Sequence, residues 1–274
     1  MQLLTSVQNP KVKHVIALQQ KSSLRRDEGL FVVEGVREVQ HCYEGRYAVE
    51  SIFFCPEILS QDALETLESC IGCSLTDAAS SSSAALYQVT PAVYEKIGYR
   101  GSTEGVVALV KTKSATLKDL PLKEAPLYVV LERVEKPGNL GAILRSADAA
   151  AVDAVIVCDP LTDLYNPNLI RSSLGGIFTV PTIACSSQEC IALLKERGVA
   201  ILTAQLQDSH LYYDYDMTRA TAIVMGTEST GLTQQWRNAA DAHIRIPMLG
   251  QLDSLNVSVS AAILMFEAVR QRKL

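Results

Sequence analysis

After Pro126 the sequence falls into an alternation that leaves few folds open: short apolar runs separated by longer stretches with helical spacing. The runs are Leu127–Leu131, Ala154–Cys158, Ala200–Ala204, Ala222–Met225 and His243–Ile246. Apart from His243–Ile246, they are apolar at successive positions rather than at every second one, so both faces of these strands must be covered, as in a parallel sheet. Helices are expected over Leu140–Ala151, Gln188–Arg197 and Leu255–Arg272. Strands and helices in alternation define an α/β fold, a mostly parallel sheet with helices on both faces. Ligands bind such sheets in the loops at the carboxyl ends of the strands.

The first part of the chain reads differently. Strands are expected at Leu30–Val33, at Ile52–Cys55 (stopped by Pro56) and at Gly105–Val110. Helical spacing covers Val36–Tyr43 and Leu59–Cys70, and Ser80–Ser83 reads as a loop or a weak helix start. Lys111–Pro126 is polar and carries two prolines, the composition of a linker. With 274 residues the chain nears the upper limit for one core. The expected organisation is a small α/β domain over 1–112, a linker over 113–126 and a larger α/β domain over 127–274.

Composition narrows the function classes. The chain is 48% hydrophobic and 20% charged, ordinary for a globular protein. No apolar run approaches the ~20 residues of a membrane helix, and the first residues lack the basic and apolar regions of a signal peptide. A cytoplasmic protein without a membrane partner is expected. Seven cysteines in such a setting are reduced thiols. Cys70 and Cys73 have C-x-x-C spacing, but no second pair follows and the four histidines are scattered, so no metal is expected. The net charge of −5 is awkward for a nucleic-acid binder. Residues 1–26, however, hold Lys11, Lys13, Lys21, Arg25 and Arg26 and no acid. That run is either a solvated, frayed terminus or a phosphate-contacting arm.

Three glycine-bearing loops follow strands of the second domain. The first runs from Glu132 through Gly138, Asn139, Leu140 and Gly141 to Arg145. Its glycines permit a tight turn into a helix with free N–H groups. It is not G-x-G-x-x-G, so a dinucleotide fold is not indicated. The second, Gly226-Thr227-Glu228-Ser229-Thr230-Gly231, carries one carboxylate. The third, Ile246-Pro247-Met248 through Ser254-Leu255-Asn256-Val257, sets an asparagine at a helix start. Asparagine is a poor helix-interior residue unless its amide has a task. Taken singly, these loops also read as a glycine turn with a surface arginine, a helix-capping acid and an N-cap.

In this order the three loops resemble the motifs of the SpoU–TrmH branch of the SPOUT methyltransferases. Asn139 to Arg145 is similar to the first motif, Gly226 to Leu232 to the second, and Ile246 to Val259 to the third. Thr5-Ser6, Asn9-Pro10 and Phe31 to Gly35 resemble that family's substrate-binding domain, and Gly105 to Ala108 its end. Ser229-Thr230 departs from the glycine or charged residue common after the motif-two glutamate.

The resemblance implies a deep trefoil knot in the catalytic domain, a homodimer formed through the C-terminal helix, and S-adenosylmethionine as cofactor. It implies methyl transfer to a ribose 2′-hydroxyl of structured RNA, ribosomal RNA ahead of transfer RNA, with guanosine as the methylated nucleotide. By position it assigns cofactor binding to Gly226, Ile246, Met248, Leu255 and Leu140. Arg145 is implied at the reacting hydroxyl, supported by Asn139, Glu228, Ser254 and Asn256. A guanidinium with a pKa above ~12 is a poor base, so phosphate binding and orientation suit Arg145 better than proton removal. Competing readings are a non-catalytic RNA-binding protein of the same fold and a small-molecule transferase.

Overall fold

The computed structural model describes residues 1–75, 83–99, 104–227 and 229–273. Its contacts divide into two compact units, Met1–Lys113 with Leu164–Thr179, and Ser114–Asp163 with Val180–Leu274.

The first unit opens with β1 (Gln2–Leu4), α1 (Pro10–Gln20) and α2 (Ser22–Glu28). The basic run is therefore two helices and not a frayed terminus. Asn9 caps α1 by accepting from the Lys11 N–H at 2.9 Å, and Pro10 occupies the first turn, where no N–H is needed. Gly29, at φ +63°, ends α2 in the left-handed conformation that glycine adopts without penalty. Then follow β2 (Leu30–Glu34), α3 (Val36–Glu44), β3 (Val49–Phe54), α4 (Gln61–Ile71), β4 (Ala85–Val89), α5 (Pro91–Ile97) and β5 (Val106–Lys111). The sheet order is β1-β4-β3-β5-β2, parallel from β1 to β3 and antiparallel from β3 to β2. Val12, Val15 and Leu18 of α1 pack against Val32, Phe53 and Leu109 of this sheet.

Leu164–Thr179, carrying α7 (Pro167–Ser173) and α8 (Gly176–Thr179), also belongs to the first unit, although it lies inside the stretch assigned from the sequence to the C-terminal domain. The reason is aromatic packing. Phe31 stacks on Tyr165 with centroids 4.2 Å apart, and Tyr47 meets Phe178 edge-on at 5.2 Å.

The second unit is α/β. Its elements are β6 (Leu127–Glu132), α6 (Pro137–Ala149), β7 (Ala154–Cys158), β8 (Thr182–Cys185), α9 (Ser187–Glu196), β9 (Ala200–Ala204) and β10 (His210–Leu211), then β11 (Thr221–Met225), α10 (Gln234–Ala239), β12 (Ala242–Arg245) and α11 (Val257–Lys273). The seven strands are parallel in the order β10-β12-β9-β11-β6-β7-β8. Every residue of β6, β7 and β11 is buried, as continuous apolar runs require. One face holds a core built on Tyr128, Ile156, Ile201, Val224 and Trp236. Trp236 donates its indole N–H to Ser187 Oγ at 2.9 Å, and Ser187 donates to Asp159 at 2.6 Å, so the buried polar atoms are satisfied.

Helix α11 packs on α6 and on the central strands β6 and β11. Near its end the half-buried Arg272 guanidinium donates to the carbonyls of Ala125, Pro126, Met217 and Arg219. Burial holds this guanidinium below its usual pKa. These bonds fix the far end of α11, and the chain leading into its near end becomes part of the site.

Candidate active site

The carboxyl ends of β9, β11 and β12 open into a cavity of about 490 Å³ within the second unit. Met225, Ile244, Ile246, Met248, Val257 and Leu264 give it an apolar wall. Gly226, Ser254, Leu255 and Asn256 also line it. A smaller cavity of about 200 Å³ shares Lys136, Gly226, Thr227 and Val257 with the first, and adds Val134, Asn139 and Ser229. The two cavities thus draw together the three loops singled out in the sequence, which are far apart along the chain.

Gly226 allows a close backbone approach. A Cβ there would lie 2.3 Å from the Gly231 carbonyl carbon and 2.5 Å from the Leu232 nitrogen, so no side chain fits. The loop closes on itself beyond it. Gly231 donates its N–H to the Thr227 carbonyl at 3.1 Å, and Thr230 donates its N–H to Thr227 Oγ1 at 3.0 Å. The Thr227 and Thr230 hydroxyls bond at 2.8 Å. Ser229-Thr230, unusual in sequence, thus supplies a hydroxyl that ties the turn. Gly231, at φ +66°, takes a conformation that a side chain would strain. The base of the loop is held from below: buried Glu132, at the end of β6, accepts from the Thr233 N–H at 2.8 Å and from its hydroxyl at 2.7 Å.

In the third loop, Asn256 accepts from the Ser258 N–H at 2.9 Å and caps α11, while its amide donates to Asn139 Oδ1 at 3.2 Å. The Ser254 hydroxyl donates to Asp253 at 3.3 Å.

Other expected residues stand elsewhere. Leu140 is fully buried in the interior and lines neither cavity. Arg145 lines neither cavity as well; it is exposed on α6, and its side chain makes no hydrogen bond or ion pair with any described residue. Glu228 lies outside the described residues, as do Ser80, Ser81 and Ser82 of the serine run. In the first unit Lys13, Lys21 and Arg26 are exposed, and exposed Lys11 donates to the Tyr87 hydroxyl at 2.9 Å. Arg25 corrects the sequence reading. It is 3% exposed, and its guanidinium donates to the carbonyls of Leu18 and Gln19, so it secures the turn between α1 and α2 instead of facing a phosphate.

Sequence reasoning missed Gln205. It follows β9 and lines the larger cavity, and its Oε1 is buried without a hydrogen-bond partner among the described residues. Its position at the carboxyl end of a strand was the available signal. A buried acceptor left open costs about 1–3 kcal/mol unless a ligand donor meets it.

A parallel α/β sheet whose carboxyl-end loops enclose an apolar-walled cavity with an open buried acceptor defines a domain built to hold a small organic ligand. The chain belongs to the SpoU rRNA Methylase family, whose model matches residues 126–266, more than half of its length. A second model, the MRM3-like substrate binding domain, matches residues 9–108. Among relatives, the chain is 35% identical over 174 residues to a 23S rRNA (uridine(2479)-2′-O)-methyltransferase of Streptomyces viridochromogenes, a match covering 61% of this chain and 60% of that protein's length. It is 28% identical to the 23S rRNA (guanosine(2553)-2′-O)-methyltransferase RlmP of Bacillus subtilis, over 97% of this chain and 98% of that one. Among solved structures, the SpoU methyltransferase AviRb of Streptomyces viridochromogenes in complex with AdoMet superposes with a TM-score of 0.85 at 29% identity, over 97% of this chain and 99% of that one. The two-domain α/β architecture expected from the sequence is that of these structures.

Proposed function

We propose that this protein transfers a methyl group from S-adenosylmethionine to a ribose 2′-hydroxyl of 23S ribosomal RNA, at a guanosine. The observation that carries the reading is the cavity in which motifs two and three converge, beside a smaller one that adds Asn139 of motif one, in a chain whose full-length relative is a 23S rRNA guanosine 2′-O-methyltransferase. The residues present fit the cofactor. The larger cavity has the volume of a small-ligand site, Gly226 lets the motif-two loop fold back on itself at the cavity wall, and the open Gln205 Oε1 suits an amino or hydroxyl donor. Gly226, Ile246, Met248 and Leu255 would hold it, with Gln205 added and Leu140 behind the wall. When bound, S-adenosylmethionine supplies an electrophilic methyl carbon on a sulfonium.

This chain's residues then have to bind and orient RNA. Arg145, exposed and without a side-chain partner among the described residues, presents a planar fork suited to a substrate phosphate beside the reacting ribose. Asn139 and Asn256 hold the first and third loops in register, Ser254 lines the cavity mouth, and Glu228 completes the set. Lys11, Lys13, Lys21 and Arg26 form the phosphate-contacting surface of the first unit.

The same reading includes a trefoil knot and a homodimer in a cytoplasmic enzyme. What supports the knot is that α11 follows β12, the strand next to the sheet edge, yet packs on α6 and the central strands β6 and β11. What supports the dimer is that Val259 and Phe266 of α11 are 47% and 48% exposed. Labelled methyl transfer to purified 23S rRNA, to transfer RNA and to a metabolite extract tests the proposal. Label in 23S rRNA alone is expected; label in transfer RNA or in metabolites alone would replace it.

A further inference from the structure

Three sulfurs meet at the carboxyl ends of β7 and β8. Cys158 closes β7, Cys185 closes β8 opposite it in the parallel register, and Cys190 lies in α9. Their Sγ atoms all lie within 4.8 Å of one another, with Cys158 and Cys185 at 3.9 Å. Cys158 and Cys190 are fully buried, and Cys185 is half-buried. Among the described residues this is the one group of three or more histidine, cysteine or carboxylate side chains whose donor atoms converge in this way. None of the three lines either cavity of the candidate active site. Cysteine is common in cores as a small hydrophobe, and Cys158 and Cys190 belong to the same core as Ile156, Ile183, Leu194 and Trp236, with Cys185 packed against it. Packing alone does not require three sulfurs to face one point.

The spacing fits an ion. A cation bound to sulfur at about 2.3 Å, at the centre of a trigonal set, needs sulfurs roughly 4 Å apart. A disulfide would need about 2.05 Å.

We propose that Cys158, Cys185 and Cys190 form a trithiolate site for a soft d10 cation, with Cu+ as the occupant. Thiolates select soft ions, Cu+ and Zn2+ foremost. Three ligands close a trigonal shell around Cu+, whereas structural Zn2+ takes four. Among the described residues no fourth cysteine or histidine converges on the cluster. Cation uptake forms three metal–sulfur bonds and releases the three thiol protons of Cys158, Cys185 and Cys190 to solvent. No electron is transferred. Half-exposed Cys185 offers the entry side. The bound ion would cross-link β7, β8 and α9, and with them the start of the loop into α6, since Arg133 donates its N–H to the Cys158 carbonyl at 2.9 Å.

The test uses the full chain, stripped of metal and kept reduced and anaerobic. It is titrated with Cu+ against bicinchoninate and, separately, with Zn2+ against pyridylazoresorcinol. One Cu+ per chain should be withheld from the chelator, with sulfur-to-copper charge-transfer absorption in the near ultraviolet. The double variant Cys70→Ser/Cys73→Ser should behave identically, and Cys185→Ser, changed at the half-exposed member, should release the ion. X-ray absorption at the copper edge of the wild-type protein provides a readout independent of any variant: three sulfurs at about 2.3 Å are expected. Failure to withhold Cu+, retention of Zn2+ with release of Cu+, a shell with fewer than three sulfurs, or equal retention by a folded Cys185→Ser protein would each overturn the proposal.

Discussion

Asn256 donates its side-chain amide to Asn139 Oδ1 at 3.2 Å across 117 residues of sequence, while its own Oδ1 accepts from the backbone and hydroxyl of Ser258. One side chain thus caps α11 and fixes the first turn of α6. Asn256 stands just before α11, at the N-cap position that favours asparagine, and the bridge to Asn139 gives its amide a second task. Asn256→Ala removes both the cap and the bridge, and a loss of about 1–2 kcal/mol is expected from the cap. Asn256→Ser keeps a capping oxygen but not the reach to Asn139. Denaturant unfolding should place it between the wild-type protein and the alanine variant, and a serine variant as stable as the wild-type protein would count against the bridge.

Gly226→Ala should bind S-adenosylmethionine far more weakly, or not at all. Its Cβ would overlap the Gly231–Leu232 backbone at 2.3–2.5 Å, and backbone cannot move aside as a flexible side chain can. The loop must shift, at about 1–3 kcal/mol of stability for overpacking. Calorimetry beside a thermal melt checks both effects. Wild-type affinity in the variant would remove Gly226 from the site.

The basic helices of the first unit separate into two roles. Neutralising Lys11, Lys13, Lys21 and Arg26 should weaken RNA binding and flatten its salt dependence, by roughly 0.7–0.9 in log–log slope for each true phosphate contact. Cofactor affinity should not change. Arg25→Ala should act otherwise, destabilising the fold by about 1–3 kcal/mol because it strands buried carbonyls of Leu18 and Gln19. An unaltered slope in the four-fold variant would leave these residues as solvated surface.

The strands of the second unit were legible because burial on both faces writes itself as continuous apolar runs: Ala154–Cys158 and Ala200–Ala204 are found at the bounds read from sequence. The edge strand Thr182–Cys185 was not, being four residues long with an exposed position and a proline before it. Helices α1 and α2 were hidden by their charge, since a basic run without acids reads equally as an unstructured arm. The packing of Leu164–Thr179 with the first unit depends on Tyr165 and Phe178 meeting Phe31 and Tyr47, contacts that no local pattern encodes. Motif order located the candidate site, but Gln205 escaped because a lone glutamine after a strand has no motif. The burial that separates Arg25 from Arg26 is likewise a tertiary property, and sequence placed both on one surface.

Exposed Val259 and Phe266 lie seven residues apart on α11, two turns along one face, with Ala262 and Ile263 half-buried between them. If this face is a subunit interface, Phe266→Glu should shift a dimer to monomer in sedimentation velocity without altering the melting of the isolated fold by more than a few degrees. A wild-type protein that sediments as a monomer would contradict the dimer.

Methyl placement tests the central claim most directly. Nucleoside mass spectrometry of 23S rRNA, after incubation with S-adenosylmethionine and either the wild-type protein or Arg145→Ala, reports the modified atom. The wild-type protein should yield 2′-O-methylguanosine. Arg145→Ala should yield about 100-fold less or lower, the cost typical of losing one orienting charged donor, with S-adenosylmethionine affinity intact by calorimetry. Arg145→Lys should be similarly impaired, since a point charge cannot reproduce the planar fork. Methyl groups found on a base, or an Arg145→Ala protein as active as the wild type, would contradict it.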